Sequence, residues 1–253
     1  MAESKKLYVG LIPDGNRRWA KAKGLSAIKG HEAGTESVKK IFECARDMQI
    51  IRILAAWGLS RKNIEKRPTL QITGLYGLLE STLKDLRDNW MDKTENRDVR
   101  LVHLGEQDRM NRNVLGRQVV TRLNEIAEHT RDRTGMIIAL CLDYDPKIER
   151  RKASRLWHER GAPDDELYFL NDLYLPRQGI PFQPVDLVIR TGEDEKKSSS
   201  DDRSHHTNEF LHEYRDGTED RPHSILMPDY TPDHFVQDIR ELLHLKTQRR
   251  KGA

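Results

Sequence analysis

The chain has 253 residues, 44 of them Lys or Arg and 41 Asp or Glu, for a net charge of +3. That length buries a sizeable core within one domain, 1–253. The near balance of charge excludes the one-sided basic stripe of a nucleic-acid binder.

The elements alternate along the chain. Leu7–Ile12 is predicted as a strand, and no secretory leader precedes it. A short helix starts at about Arg17. The spacing of Val38, Ile41, Phe42 and Ala45 predicts a helix over 35–48. A buried strand follows at 51–57. Leu70, Ile72, Leu75, Leu78, Leu79, Leu83 and Leu86 then predict a long helix over 69–90. Strands at 99–104 and 136–142 bracket a helix at 110–131, and a helix covers 147–160. Strands at 185–189 and 225–227 precede a last helix at 231–245. Apolar strands between helices argue for an α/β fold with a central, mainly parallel sheet covered on both faces. Such sheets bind ligands at the carboxyl ends of their strands, where Asp14, Ser60, Tyr144 and Arg190 all fall. The run Glu193–Asp194–Glu195–Lys196–Lys197 through His206 is too polar to pack and reads as a mobile insert at about 193–206. No apolar run reaches the ~18 residues that span a bilayer. The final Lys246–Thr247–Gln248–Arg249–Arg250–Lys251 reads as solvated, with weak peripheral contact to anionic lipid as the alternative. Cys44 and Cys141 sit in apolar patterns and read as buried thiols of a reducing cytoplasm.

One segment carries chemistry. An apolar run stops at Pro13–Asp14–Gly15–Asn16 and gives way to Arg17–Arg18–Trp19–Ala20. A strand that ends in a Gly turn and opens a helix suits a phosphate, because helix-start N–H groups point outward. Arg17 and Arg18 add planar forks that match phosphate oxygens. Asp14 stands where Mg²⁺ would bridge protein and phosphate. An ordinary βα turn followed by a solvated basic helix is the alternative reading.

The string Asp14–Gly15–Asn16–Arg17–Arg18–Trp19–Ala20 resembles the signature of the cis-prenyltransferases, the undecaprenyl and dehydrodolichyl diphosphate synthase family. Further blocks follow in the family's order. Gly30–His31–Glu32–Ala33–Gly34 is similar to G-H-x-x-G. Leu59–Ser60–Arg61–Lys62–Asn63 through Arg67–Pro68 is similar to F-S-x-E-N-W-x-R-P. Asp186–Leu187–Val188–Ile189–Arg190–Thr191–Gly192–Glu193 resembles D-L-x-I-R-T-x-G-E, and Met227–Pro228–Asp229–Tyr230 resembles W-P-D-F. The resemblance implies an undecaprenyl diphosphate synthase-like fold and a homodimer. It implies a Mg²⁺-dependent enzyme that condenses an allylic diphosphate with isopentenyl diphosphate into a (Z)-polyprenyl diphosphate. Asp14 and Asn63 take catalytic positions. Gly15, Asn16, Arg17, Arg18, Trp19, His31, Ser60, Arg67 and Arg190 take substrate-binding ones. Arg203 is a further substrate candidate, because Arg203–Ser204 or Thr207–Asn208–Glu209–Phe210 stands in for R-x-S-N-F. Counting back from Pro228 puts Glu219 where the family has a metal-binding Glu, so the resemblance implies Glu219 and Asp14 as metal ligands, although Gly217 to Pro222 also reads as a surface turn. Without the resemblance His31 reads as a surface histidine, and His205, His206 and His212 lack the spacing of a zinc site.

The chain departs from the family at Lys62, where Glu is usual, at Ile64 for Trp, and at Ala27 where many members carry a phosphate-binding Arg. Tyr76 and Trp90 on the Leu-rich helix are candidate limits on product length. The rival readings are an irregular synthase making short branched or cyclised products, and a non-catalytic partner subunit. Retention of Asp14 argues against the second.

Overall fold

A computed structural model describes residues 6–162, 169–193 and 210–251. Six strands form one sheet: β1 (Leu7–Ile12), β2 (Ile51–Ser60), β3 (Arg100–Leu104), β4 (Ile137–Tyr144), β5 (Leu187–Arg190) and β6 (Glu219–Pro222), in the order β3-β4-β2-β1-β5-β6. Every pairing is parallel. The helices are α1 (Asn16–Ala22), α2 (Ala27–Asp47), α3 (Arg61–Lys66), α4 (Thr69–Asp85), α5 (Val114–His129), α6 (Pro146–Glu159) and α7 (Pro232–Lys251). None among the described residues is long and apolar enough to cross a membrane.

The strands are apolar on both faces because both faces are covered. Along β2, Leu54 and Ala56 turn to one core, shared with Ile41, Phe42, Leu83 and Val119 from α2, α4 and α5. Ile53 and Ala55 turn to the other, shared with Ala153 of α6, Phe210 and Tyr214. That alternation is the two-residue period of a strand.

The fold departs from the sequence expectations where tertiary contact overrides local preference. The 225–227 strand is absent: Met227–Asp229 is a 3₁₀ turn, and the sixth strand is the polar Glu219–Pro222. A strand that pairs only with β5 at the sheet edge tolerates Pro222 and alternates half-buried with exposed residues. The second helix starts at Ala27, eight residues before Thr35. Its Gly30 and Gly34 weaken the helical signal in isolation, yet both are buried against α1. β2 runs on to Ser60, whose hydroxyl then caps α3 by accepting from the Asn63 N–H at 3.1 Å. The C-terminal basic run continues α7, with Lys246 paired to Asp186 and Arg249 to Glu219. Cys44 and Cys141 are free thiols, Cys141 fully buried and Cys44 half-buried.

A β-carbon on Gly30 would lie 2.1 Å from the Asn16 carbonyl oxygen, backbone against backbone. Gly30→Ala is therefore expected to force α1 off α2 and to cost about 1–3 kcal/mol. Urea unfolding should show a lower midpoint at unchanged slope. An unshifted midpoint would mean that the two helices have room to spare.

Candidate active site

At the carboxyl end of the sheet a cavity of about 1470 Å³ opens between α1, α2, α3 and α4. Its mouth is polar. The chain leaves β1 through Asp14 and Gly15, and Gly15 adopts φ 106°, a left-handed conformation. A β-carbon there would also meet Leu226 at 2.8 Å. Asp14 Oδ1 accepts from the Gly15 N–H at 2.6 Å, while Oδ2 faces Arg190 at 3.5 Å. Thr191 ties the two loops together: its hydroxyl accepts from the Asp14 N–H at 2.9 Å and donates to the Asp14 carbonyl at 2.8 Å. Arg18 crosses the same gap and donates to the Gly192 carbonyl. Asp14 remains half-exposed at the mouth, and Arg190 is largely buried beside it.

Three cationic or titratable groups crowd the other side. His31 is pushed down to about 4, first by burial and then by the charges of Arg67 and Arg17; Asp14 opposes the shift. Arg67 is itself pushed down by burial and by Arg17. His31 Nε2 is buried with no hydrogen-bond partner. A neutral imidazole with a buried ring nitrogen, set between two guanidiniums, is an environment that suits an anion. Ser60 and Asn63 complete this rim.

Beyond the mouth the cavity turns apolar. Val38 and Phe42 of α2 line it together with Leu75, Leu79 and Leu83 of α4, and Leu86 follows on the same side. The part of α4 that lines it runs from Leu75 to Leu83, roughly 12 Å at 1.5 Å per residue. Lys39, paired with Asp85 at 2.7 Å, links the two helices across the lower part.

Residues 12–200 match the Prenyltransf family model, that of undecaprenyl diphosphate synthases. The chain belongs to that family. An isoprenyl transferase of Chlorobaculum tepidum is 32% identical over 97% of this chain and 85% of its own. One from Treponema denticola is 28% identical over 97% and 96%. Among solved structures, lavandulyl diphosphate synthase from Lavandula x intermedia, in complex with dimethylallyl diphosphate, has a TM-score of 0.74 at 22% identity, covering 94% of this chain and 95% of that one. A probable undecaprenyl diphosphate synthase from Campylobacter jejuni has a TM-score of 0.67 at 22% identity, with 96% of each covered. Both share the parallel-sheet fold. As a member of the undecaprenyl diphosphate synthase family, the chain is a prenyl transferase.

Most of the residues singled out by the family signature meet at the cavity: Asp14, Gly15, Asn16, Arg17, Arg18, His31, Ser60, Asn63, Arg67 and Arg190 all line it. Trp19 does not. Its indole N–H donates to Asp229 at 2.8 Å, on the outer side of α1. Glu219 is not brought to Asp14 either. It opens β6 opposite Leu187, three residues before the Arg190 rim, which is roughly 10 Å along a strand. Its carboxylate holds Arg249 at 2.6 Å. Arg203, most of the 193–206 insert and His205–His206 lie outside the described residues. Tyr76 and Trp90 are buried away from the cavity, and Trp90 donates to Glu43 at 3.1 Å. Phe42, Leu83 and Leu86 line it instead.

One supporting residue went unread in the sequence. Glu149 is 2% exposed and accepts from the hydroxyls of Tyr144 and Tyr214 and from the Tyr174 N–H, each at 2.9 Å. Burial pushes it up to about 7. It holds Tyr144, which lines the cavity, but within Ile148–Glu149–Arg150–Arg151 nothing distinguishes it from a solvated charge.

An anion at the mouth should raise the pKa of His31, because it offsets the two guanidiniums that depress it. Between about 4 and the ordinary 6.5, binding then takes up a proton, and affinity rises as the pH falls through that window. Calorimetry of inorganic diphosphate at pH 5 in buffers of different ionisation enthalpy should show more proton uptake for the wild type than for His31→Gln. Equal uptake would remove His31 from the anion site.

Proposed function

We propose that this protein is a Mg²⁺-dependent cis-prenyltransferase that extends an allylic diphosphate with isopentenyl diphosphate to a (Z)-polyprenyl diphosphate. One observation carries the reading. A crowded mouth of two guanidiniums and an imidazole (Arg17, Arg67, His31) opens directly into an apolar cavity, and an amphiphile with an anionic head and a hydrocarbon tail matches both parts.

The allylic head rests on Arg17, Arg18, His31 and Arg67, and its tail points along α4. The C–O bond to the diphosphate breaks, and the developing negative charge falls on groups already placed to receive it. The double bond of isopentenyl diphosphate supplies electrons for the new C–C bond. Arg190, held against Asp14, anchors the head of this second substrate, while Ser60 and Asn63 border the reacting ends. The proton released on forming the new double bond passes to the departing diphosphate. The product is one unit longer and carries the second substrate's diphosphate.

The residues present suit Mg²⁺. This ion keeps several waters and takes one or two protein carboxylates together with substrate phosphates. Asp14 is one half-exposed carboxylate at the mouth, and no group of three or more His, Cys, Asp or Glu that could hold a metal forms among the described residues. When bound there, the ion offsets charge on the leaving diphosphate.

Asp14→Ala is expected to leave the melting temperature close to wild type, since the side chain is half-exposed, and to lower kcat by about 10²–10³, or ~3–4 kcal/mol. Turnover of radiolabelled isopentenyl diphosphate with an allylic primer at saturating Mg²⁺ checks this. A near-wild-type rate would overturn the role of Asp14.

Leu79 faces the cavity about midway down α4 and is only partly buried, so a larger ring there narrows the cavity without crowding the core. Leu79→Trp should shift the products to shorter chains at a similar rate of first condensation, read by mass spectrometry of the extracted polyprenols. An unchanged length distribution would mean that the tail takes another route.

A further inference from the structure

Asp238 sits on α7, well outside the cavity, and is 3% exposed. Its Oδ2 accepts from His223 Nε2 at 2.8 Å and from the Tyr230 hydroxyl at 2.6 Å. Those two donors stand at the two ends of one segment, 223–230. Between them the segment is stapled to both loops of the site. The His223 N–H donates to the Arg190 carbonyl at 2.8 Å, and the His223 carbonyl accepts from the Glu193 N–H at 2.7 Å. The Gly192 N–H donates to the Ile225 carbonyl at 2.6 Å, and the Met227 N–H donates to the Asp14 carbonyl at 3.0 Å. Leu226 packs beneath Gly15. The hydroxyl of Ser37, on α2, donates to the Pro228 carbonyl at 3.0 Å.

The loop of Asp14 and the loop of Arg190 therefore share one backbone clip, and a single buried carboxylate closes that clip at both ends. Tyr230 is sandwiched between the rings of His223 and His234, at 5.3 and 5.5 Å, so the closed geometry is also packed. The clip reaches the cavity's lining through these backbone bonds and through Leu226 beneath Gly15.

We propose that Asp238 is a positioning residue for prenyl transfer: by holding His223 and Tyr230 together it fixes the spacing between Asp14 and Arg190, and so between the two diphosphates. Its catalytic part rests on the function proposed above; its structural part stands without it. A displacement of about 1 Å between reacting groups commonly costs 10²-fold in rate, so a loosened clip has a large kinetic effect without any lost substrate contact.

Asp238→Ala and Asp238→Asn test this. In the alanine variant, hydrogen exchange at the amides of Gly192, Glu193 and Met227 should quicken at least about tenfold, while strand β2 stays protected. Its kcat should fall by roughly 10- to 100-fold. Asparagine keeps an acceptor for Tyr230 and a partner for His223, so it should restore most of both. If Asp238→Ala does not fold, His223→Phe, which opens one end of the clip at a partly exposed position, is read in its place. Folded alanine variant with wild-type exchange at those three amides, or with kcat within about twofold of wild type, would overturn the proposal. So would an asparagine variant as slow as the alanine one. Wild-type protein that turns over no isopentenyl diphosphate would overturn the functional reading instead, and the exchange measurement alone would then decide whether Asp238 closes the clip.

Discussion

The carbonyl oxygen of Asn16 occupies the space in which a β-carbon of residue 30 would have to sit, and the Asn16 side chain does the same to residue 34. Only glycine at both places lets α1 lie this close to α2. The mouth of the cavity depends on that approach. It sets Arg17 near His31, although the two are on different helices, and it points the Asp14 turn toward the same space. A helix normally loses stability with each internal glycine. Here the loss is tolerated because the backbone of α1 takes the vacated room.

Closeness has an electrostatic consequence. Arg17 and Arg67 repel one another beside a half-buried imidazole that they help to hold neutral, and Asp14 is the acidic group that acts against them in both shifts. A protein selected for stability alone would not hold such a cluster; local conflicts of this kind mark functional sites. The rest of the rim is correspondingly rigid. Thr191 bonds to Asp14 twice, Arg18 bridges to Gly192, and the 223–230 segment joins both loops. Charges that stay fixed before substrate arrives need no reorganisation when negative charge develops on a leaving group.

The sequence made some of this legible and hid the rest for physical reasons. Strands β1, β2, β4 and β5 were readable because burial on both faces leaves an almost continuous apolar run. The Asp14 to Ala20 block was readable because a turn, a helix start and two arginines coincide in a few residues. By contrast, β6 is Glu-Asp-Arg-Pro, and it is a strand only because β5 offers it an edge. The start of α2 was masked by the two glycines that its packing requires. Glu219 was drawn toward the metal by counting along the chain, but a parallel strand carries its first and last residues to opposite ends of the sheet. Asp238 and Glu149 look like surface charges on amphipathic helices, and only the fold surrounds them with tyrosines and a histidine.

The division of the cavity separates two kinds of control. Most charged and polar lining residues lie at the sheet's carboxyl rim, whereas the α4 side of the cavity is mostly leucine, with Thr82 among it and Lys39 facing it from α2. On the proposed function, each condensation leaves the diphosphate at the rim and moves the hydrocarbon further from it. Groups at the rim meet the same chemical ends in every cycle, so changes there act on rate and on affinity for the heads. Groups along the wall meet the tail only after it has grown to reach them. Residues of the wall such as Leu79, Leu83 and Leu86 therefore act on length and leave the first condensation untouched. The Lys39–Asp85 pair lies on that same stretch, joining α2 to α4 where the tail would arrive last. An ion pair this exposed adds little to the hold between the two helices, so on the proposed function the limit on chain length is set by packing along the wall, with no charged group needed at the reacting carbons.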